Sequence, residues 1–225
     1  MIPICETFTS LQGEVQGLGR HAFFIRTFGC NLAKKCPIDC DTPYSWKEGI
    51  NGVKPWQFQS PASLKKQMIE SGSNTCIITG GEPMLHQEEL TDVIEGMKLG
   101  AKIHLEFFIE TNGTIDPIST LCTDRAVFFN VSPKMDDFDP RRFPLNRSVF
   151  KHVVDPRSSK NLDNLLDLLH GYNESLRRRV FVMPLSRNRS EYHEGSELLA
   201  AWCIKHGLNF GPRLHLSLWD GEKGR

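Results

Sequence analysis

Three cysteines, Cys30, Cys36 and Cys40, crowd into eleven positions, while the other four of the seven, Cys5, Cys76, Cys122 and Cys203, are scattered through apolar contexts. Thiolates gathered on one loop can be directed at a soft metal centre. A structural zinc normally takes four protein ligands, and no histidine stands at finger-like spacing here. An iron–sulfur cubane on three cysteines instead leaves one iron open to another molecule. The odd count and the clustering indicate a metal site in a reducing compartment plus buried thiols, rather than a disulfide framework. A degenerate site or adventitious zinc is the plainer alternative.

Four other polar, glycine-bearing or basic groups recur along the chain: Gly80-Gly81-Glu82-Pro83, Glu110-Thr111-Asn112-Gly113, Ser132-Pro133-Lys134 and Arg213-Leu214-His215. The first three, like Gly29-Cys30, follow apolar runs directly. Those runs predict strands at 22–28, 75–79, 103–109, 126–131, 148–154, 180–184 and 214–218. Helical spacing or capping predicts helices from the Ser60-Pro61 cap to about Glu70, and over 86–99, 161–170 and 190–206. Alternating strands and helices imply parallel βα units, and seven strands suit an α/β open partial (βα) barrel better than a closed eightfold one. Sites then collect at the C-terminal strand ends. Residues 1–225 read as one domain, with the cysteine loop at about 29–47 and a long loop over 46–60.

Twenty-seven Lys and Arg balance twenty-seven Asp and Glu, so no basic footprint for nucleic acid or an anionic membrane is present and a small-molecule substrate is expected. No apolar run reaches bilayer length, and the N-terminus lacks a basic region followed by a long apolar one. A cytosolic location is expected. The charges at Arg177–Arg179 read as a solvated face.

Phe24-Ile25-Arg26, then Gly29-Cys30-Asn31-Leu32 through Cys40-Asp41-Thr42, resemble the cluster loop of radical S-adenosylmethionine enzymes. The Cys-Asp-Thr ending is similar to that of the 7-carboxy-7-deazaguanine synthases, as are Glu6-Thr7-Phe8 with Gln12-Gly13-Glu14, the ordered motifs above, and Trp219-Asp220-Gly221. The likeness spans nearly the whole chain. One departure stands out: the usual Cys-x3-Cys-x2-Cys is here Cys-x5-Cys-x3-Cys, three residues longer, an insertion that flexible loops accept at small entropic cost.

The resemblance implies a [4Fe–4S] cluster on Cys30, Cys36 and Cys40, and S-adenosylmethionine held near Gly80, Gly81, Glu82, Thr111, Asn112, Ser132 and, more weakly, Lys134. It also implies Mg²⁺ at Thr42, with Asp41 a weaker candidate. Glu14 and Arg26 pair chemically with the two ends of a reduced pterin, its amidine-like N–H donors and its 6-carboxylate; a structural salt bridge is the alternative for Arg26. Gln12, Thr79 and His215 join the implied substrate set, as does the terminal carboxylate of Arg225 if the tail folds back. Bland alternatives stand beside these: a glycine turn at Gly80-Gly81, an Asn-Gly turn, an Asp-Thr turn, a core histidine at 215, a frayed tail. Lys151 is a weaker candidate still.

The implied reaction converts 6-carboxy-5,6,7,8-tetrahydropterin to 7-carboxy-7-deazaguanine and ammonia, a lyase step of queuosine and 7-deazapurine biosynthesis, with an external one-electron donor such as flavodoxin or ferredoxin and a homodimeric enzyme. Two other readings share some of the motifs: a glycyl-radical-activase-type enzyme acting on a protein loop, and a degenerate pterin- or deazapurine-binding protein.

Overall fold

A computed structural model describes residues 1–38, 40–47, 49, 54–135 and 138–222 of the chain. Its elements run β1 (Ile2–Leu11), β2 (His21–Thr27), β3 (Gln57–Gln59), α1 (Pro61–Ser71), β4 (Thr75–Gly80), α2 (Gln87–Lys98), β5 (Glu106–Thr111), α3 (Ser119–Thr123) and β6 (Val127–Val131). They continue as β7 (Ser148–Val154), α4 (Ser159–His170), α5 (Glu174–Arg177), β8 (Val180–Pro184), α6 (Arg189–His206), β9 (Asn209–Phe210) and α7 (Leu214–Trp219). All nine strands join one sheet in the order β3-β1-β2-β4-β5-β6-β7-β8-β9. From β2 to β9 neighbours are parallel, while β1 is antiparallel to both β2 and β3. The sheet does not close, as expected for an open partial barrel.

Helix ends follow local chemistry. Ser60 accepts from the Ser63 amide ahead of Pro61, Ser158 from Asn161 and Asn188 from Glu191, each satisfying an otherwise orphaned N–H. Gly72 and Gly207 stop α1 and α6 in the left-handed conformation.

The period of two along each strand separates two faces. Ile25, Ile78, Phe107, Ile109, Phe129 and Phe150 are buried in the main core with Leu64, Leu90, Ile94 and Leu199 of the helices, each contributing roughly 1.5–3 kcal/mol by leaving water. The opposite, inward face starts apolar. Phe24, Ile77, Phe108 and Phe128 lie in register across β2, β4, β5 and β6, with Phe108 stacked on Phe128 at 4.9 Å and Phe24 on Phe8 at 4.7 Å. Two residues further along these strands the same face turns polar: Arg26 pairs in register with Thr79, and Glu110 with Asn130. An apolar floor therefore lies beneath a polar layer at the C-terminal strand ends.

The expected strand at 214–218 is a helix. Its leucines alternate as in a strand, but only Leu216 is buried while Leu218 is 46% exposed, and the Asp220 amide returns to the Leu216 carbonyl at 3.0 Å. The strand expected from Ile103 starts at Glu106. Strands β1, β3 and β9 were not expected, and β3 lies inside the predicted loop 46–60. Among the described residues, no helix is long and apolar enough to cross a membrane.

Candidate functional site

The cysteine loop leaves β2 and is tied at its base to the end of β4. The Gly29 amide donates to the Ser45 carbonyl (2.8 Å), the Glu82 amide to Gly29 (2.7 Å) and the Gly81 amide to Thr27 (3.3 Å). This approach requires glycine. Gly80 has φ +146°, and a Cβ there would lie 2.3 Å from the Thr27 carbonyl oxygen; one on Gly81 would lie 2.2 Å from that of Gly29 and 2.9 Å from the Cys30 Cβ. On the other side Asn112 donates to the Asn31 side chain (3.0 Å), which in turn donates to Thr114 (2.7 Å).

Cys30, Cys36 and Cys40 are free, half-buried thiols, and Cys36 and Cys40 line a cavity of about 360 Å³ with Lys34, Ile38 and Trp46. Among the described residues, no group of His, Cys, Asp and Glu converges on a single metal ion. Three soft sulfurs spread along a loop fixed at its base suit a cluster better than a mononuclear site, because each thiolate of a cubane binds a different iron.

Glu82 and Thr111, expected against the cofactor, face the protein. Glu82 is fully buried; its Oε1 accepts from the Thr111 hydroxyl (2.7 Å) and the Met84 amide (3.0 Å), and its Oε2 from the Asn112 amide (2.6 Å). Burial pushes this carboxyl up, with the three donors pulling the other way. Both oxygens thus brace the β4 end against the β5 end. Lys134 donates to Ser132 Oγ at 2.9 Å; burial, then the neighbouring Lys151 charge, pull its ammonium pKa down.

A buried charge network occupies the polar layer. Lys151 Nζ lies 2.6 Å from Glu14 Oε2 and 2.5 Å from Glu110 Oε2, and Glu110 Oε1 also accepts from Gln12 (2.9 Å) and Asn130 (2.8 Å). Arg213, only 8% exposed, donates to Glu14 (3.2 Å), to Asp41 beside Cys40 (3.1 Å) and to the Ser186 carbonyl (2.6 Å). Burial alone would push Glu14 up, but the Lys151 and Arg213 charges outweigh it and hold the carboxyl well below the usual range. For Lys151 burial pulls down, and Glu110 and Glu14 hold the ammonium well above its usual range. Asn130 is fully buried and, among the described residues, its Oδ1 has no partner; Gln16 Oε1 is likewise a buried acceptor unpartnered among them. His215 packs against Gly13, where a Cβ would lie 2.5 Å from the ring Nδ1.

The expected residues thus divide. Gln12, Glu14 and Asp41 meet in the network through Glu110, Lys151 and Arg213, with His215 beside Gly13. Arg26 instead donates to Glu6 at 2.7 Å, which also accepts from the Tyr44 hydroxyl at 2.8 Å, and the guanidinium stands 5.7 Å from the Tyr44 ring. The salt-bridge alternative for Arg26 is realised here, next to Thr79. Thr42 Oγ1 lies 3.7 Å from Cys40 Sγ. Arg225 lies outside the described residues. Sequence reasoning quoted Glu110 within a strand-end motif without giving it a role, did not single out Asn130 and held Lys151 only as a weak candidate. The available signal was a polar residue inside an apolar strand run, Phe128-Phe129-Asn130-Val131 and Val149-Phe150-Lys151, where an unpaired polar group is costly.

No protein-family model matches the chain. The 7-carboxy-7-deazaguanine synthase of Pyrobaculum aerophilum is 30% identical over 231 residues, covering 100% of this chain and 97% of the relative. That of Hyperthermus butylicus is 31% identical over 234 residues, covering 96% and 92%. The crystal structure of QueE from Escherichia coli superposes with a TM-score of 0.70 at 26% identity, covering 95% of this chain and 94% of that one.

Proposed function

Because the chain belongs to the 7-carboxy-7-deazaguanine synthase family, we propose that it is a radical S-adenosylmethionine lyase converting 6-carboxy-5,6,7,8-tetrahydropterin to 7-carboxy-7-deazaguanine and ammonia. The full-length likeness to synthases favours neither the activase nor the degenerate-binder reading. The observation that carries the substrate assignment is the acceptor-rich layer of Glu14, Glu110 and the unpartnered Asn130 Oδ1, which is complementary to the donor edge of a reduced pterin. The Phe24, Phe108 and Phe128 floor beneath it lowers the local dielectric and strengthens each of those contacts.

Cys30, Cys36 and Cys40 would hold the [4Fe–4S] cluster, with S-adenosylmethionine beside Gly80, Gly81, Asn112, Ser132 and Lys134. When bound, the two supply reductive radical chemistry that removes a hydrogen from C6 of the pterin. The chain's own residues orient the substrate. Glu14 and Glu110 accept from its N–H groups, Lys151 bridges the two carboxylates, and Arg213 fixes Glu14 relative to Asp41, at the end of the cluster loop. Arg26 is poised to exchange Glu6 for the pterin carboxylate, and Thr42 would present its hydroxyl to Mg²⁺, with substrate and water completing the shell. A homodimer and a flavodoxin or ferredoxin donor complete the proposal, with the product serving queuosine or other 7-deazapurine synthesis.

Anaerobic incubation of the reconstituted protein with dithionite, S-adenosylmethionine and the carboxypterin, read by mass spectrometry, is expected to give 7-carboxy-7-deazaguanine. A fully reconstituted cluster with no such product would refute the assignment.

A further inference from the structure

The Cys40 sulfur differs from the other two on its loop. Trp46 Nε1 donates to Cys40 Sγ at 3.4 Å, whereas among the described residues neither Cys30 nor Cys36 accepts a hydrogen bond at sulfur. The indole is held in place by a short turn. Over Pro43–Ser45 the chain folds back so that the Ser45 amide and hydroxyl both donate to the Thr42 carbonyl, at 3.0 and 2.7 Å. Ser45 is fully buried, and its carbonyl takes the Gly29 amide at 2.8 Å, one residue before Cys30. The turn that aims the indole is thereby anchored to the base of the same loop. Lys47 Nζ sits 5.2 Å from the centroid of the indole ring, and a cation over that face polarises the N–H toward better donation.

We propose that Trp46 sets the electron affinity of the cluster through this N–H···S hydrogen bond, a role that rests on the reading of Cys40 as a cluster ligand. Adding one electron to a [4Fe–4S] cluster raises the negative charge on its thiolate sulfurs. A donor aimed at one of them therefore stabilises the reduced form more than the oxidised form and raises the reduction potential. Trp46 touches no reacting atom in this scheme; it is a tuning residue acting through Cys40. Its consequence is practical: a protein donor of low but finite potential reduces a larger share of the enzyme at a given poise.

Trp46→Phe keeps an aromatic ring against the cavity and removes only the donor. After anaerobic reconstitution, iron and sulfide content show whether the cluster has formed, and an EPR-monitored titration with dithionite as the electron source gives the midpoint. The expected result is a full cluster whose reduced-to-oxidised ratio at fixed poise falls about tenfold, a shift of about 59 mV to lower potential for a one-electron couple. A full cluster with an unchanged midpoint would overturn the tuning role and leave the ligand assignment standing. If the variant fails to hold a cluster, the wild-type protein still decides: its Fe–S(Cys) stretches in resonance Raman should shift between H₂O and D₂O, and the absence of any shift would overturn the proposal. Wild-type protein that binds no cluster under these conditions would overturn the ligand reading itself, and the tuning role with it.

Discussion

Replacing Lys151 with methionine leaves a side chain of similar length and removes the cation between Glu14 and Glu110, at 2.6 and 2.5 Å. Lys151 is 8% exposed, so water cannot take its place, and stripping one partner from a buried pair typically costs about 3–5 kcal/mol. For a chain of this size that corresponds to a fall in Tm of roughly 6–20 °C. The pH dependence identifies the cause. In the wild type the Glu14 carboxyl is held below its ordinary value of 4.5, so its contribution is fully present above about pH 4.5 and is lost only as pH falls through the depressed folded value. Without Lys151, burial, already the largest single influence on Glu14, is opposed by Arg213 alone among the strong cations, and its pKa rises. The penalty then applies above that raised value and is relieved by protonation as pH falls toward it. Urea unfolding of both proteins at pH 8 and pH 5 is the assay, and the gap between them is expected to narrow at pH 5. A gap below 1 kcal/mol, or one of equal size at both pH values, would refute the claim that an uncompensated carboxylate is the source.

Gly81→Ala would drive a Cβ to 2.2 Å from the Gly29 carbonyl oxygen, forcing the β4 end away from the cluster loop at about 1–3 kcal/mol; reconstituted iron content is expected to fall sharply, and normal iron content would show that the close approach is dispensable. His152 is buried, its Nε2 has no partner among the described residues, and burial followed by the Lys134 charge draws its pKa down to about 4. Between pH 6.5 and 4 the unfolded chain takes up a proton that the folded protein refuses, so stability falls with pH by up to about 3 kcal/mol. His152→Gln should lose correspondingly less between pH 7 and pH 4.5, as read by urea midpoints, and equal losses in the two proteins would reject this.

The parallel half of the sheet was legible because its strands are buried on both faces, so that Thr75–Gly80, Val127–Val131, Ser148–Val154 and Val180–Pro184 read as continuous apolar runs bounded by glycine or polar groups. The margins were not. β1 carries Glu6, Thr7, Thr9 and Ser10 through its middle, and β9 is two residues long, leaving no periodicity to detect. Leu214, Leu216 and Leu218 mimic strand alternation, but Arg213 and Leu214 are tied to the network and to the Gly13 carbonyl, and the chain then closes as a helical turn. Tertiary anchoring overrode the local pattern there.

Motifs picked out the candidate residues but could not assign which way each side chain faces, and that difference decides what a residue can touch. Glu82 and Thr111 belong to polar segments at strand ends, as do Asn112 and Ser132, yet the first two are consumed by a brace between β4 and β5. A carboxylate that accepts three hydrogen bonds in full burial cannot be turned toward a ligand without leaving three donors unpaired, each costing about 1–3 kcal/mol. Glu110 also accepts three hydrogen bonds, from Lys151, Gln12 and Asn130, but unlike Glu82 its side chain keeps 13% of its surface exposed. It sits directly before Thr111, so the alternation of the strand points it to the opposite face, into the network with Lys151, Gln12 and Asn130. A strand-end motif of four residues therefore faces two ways, and the period of two assigns the directions: Glu110 inward to the charge network, Thr111 outward to the brace that holds the β4 and β5 ends together.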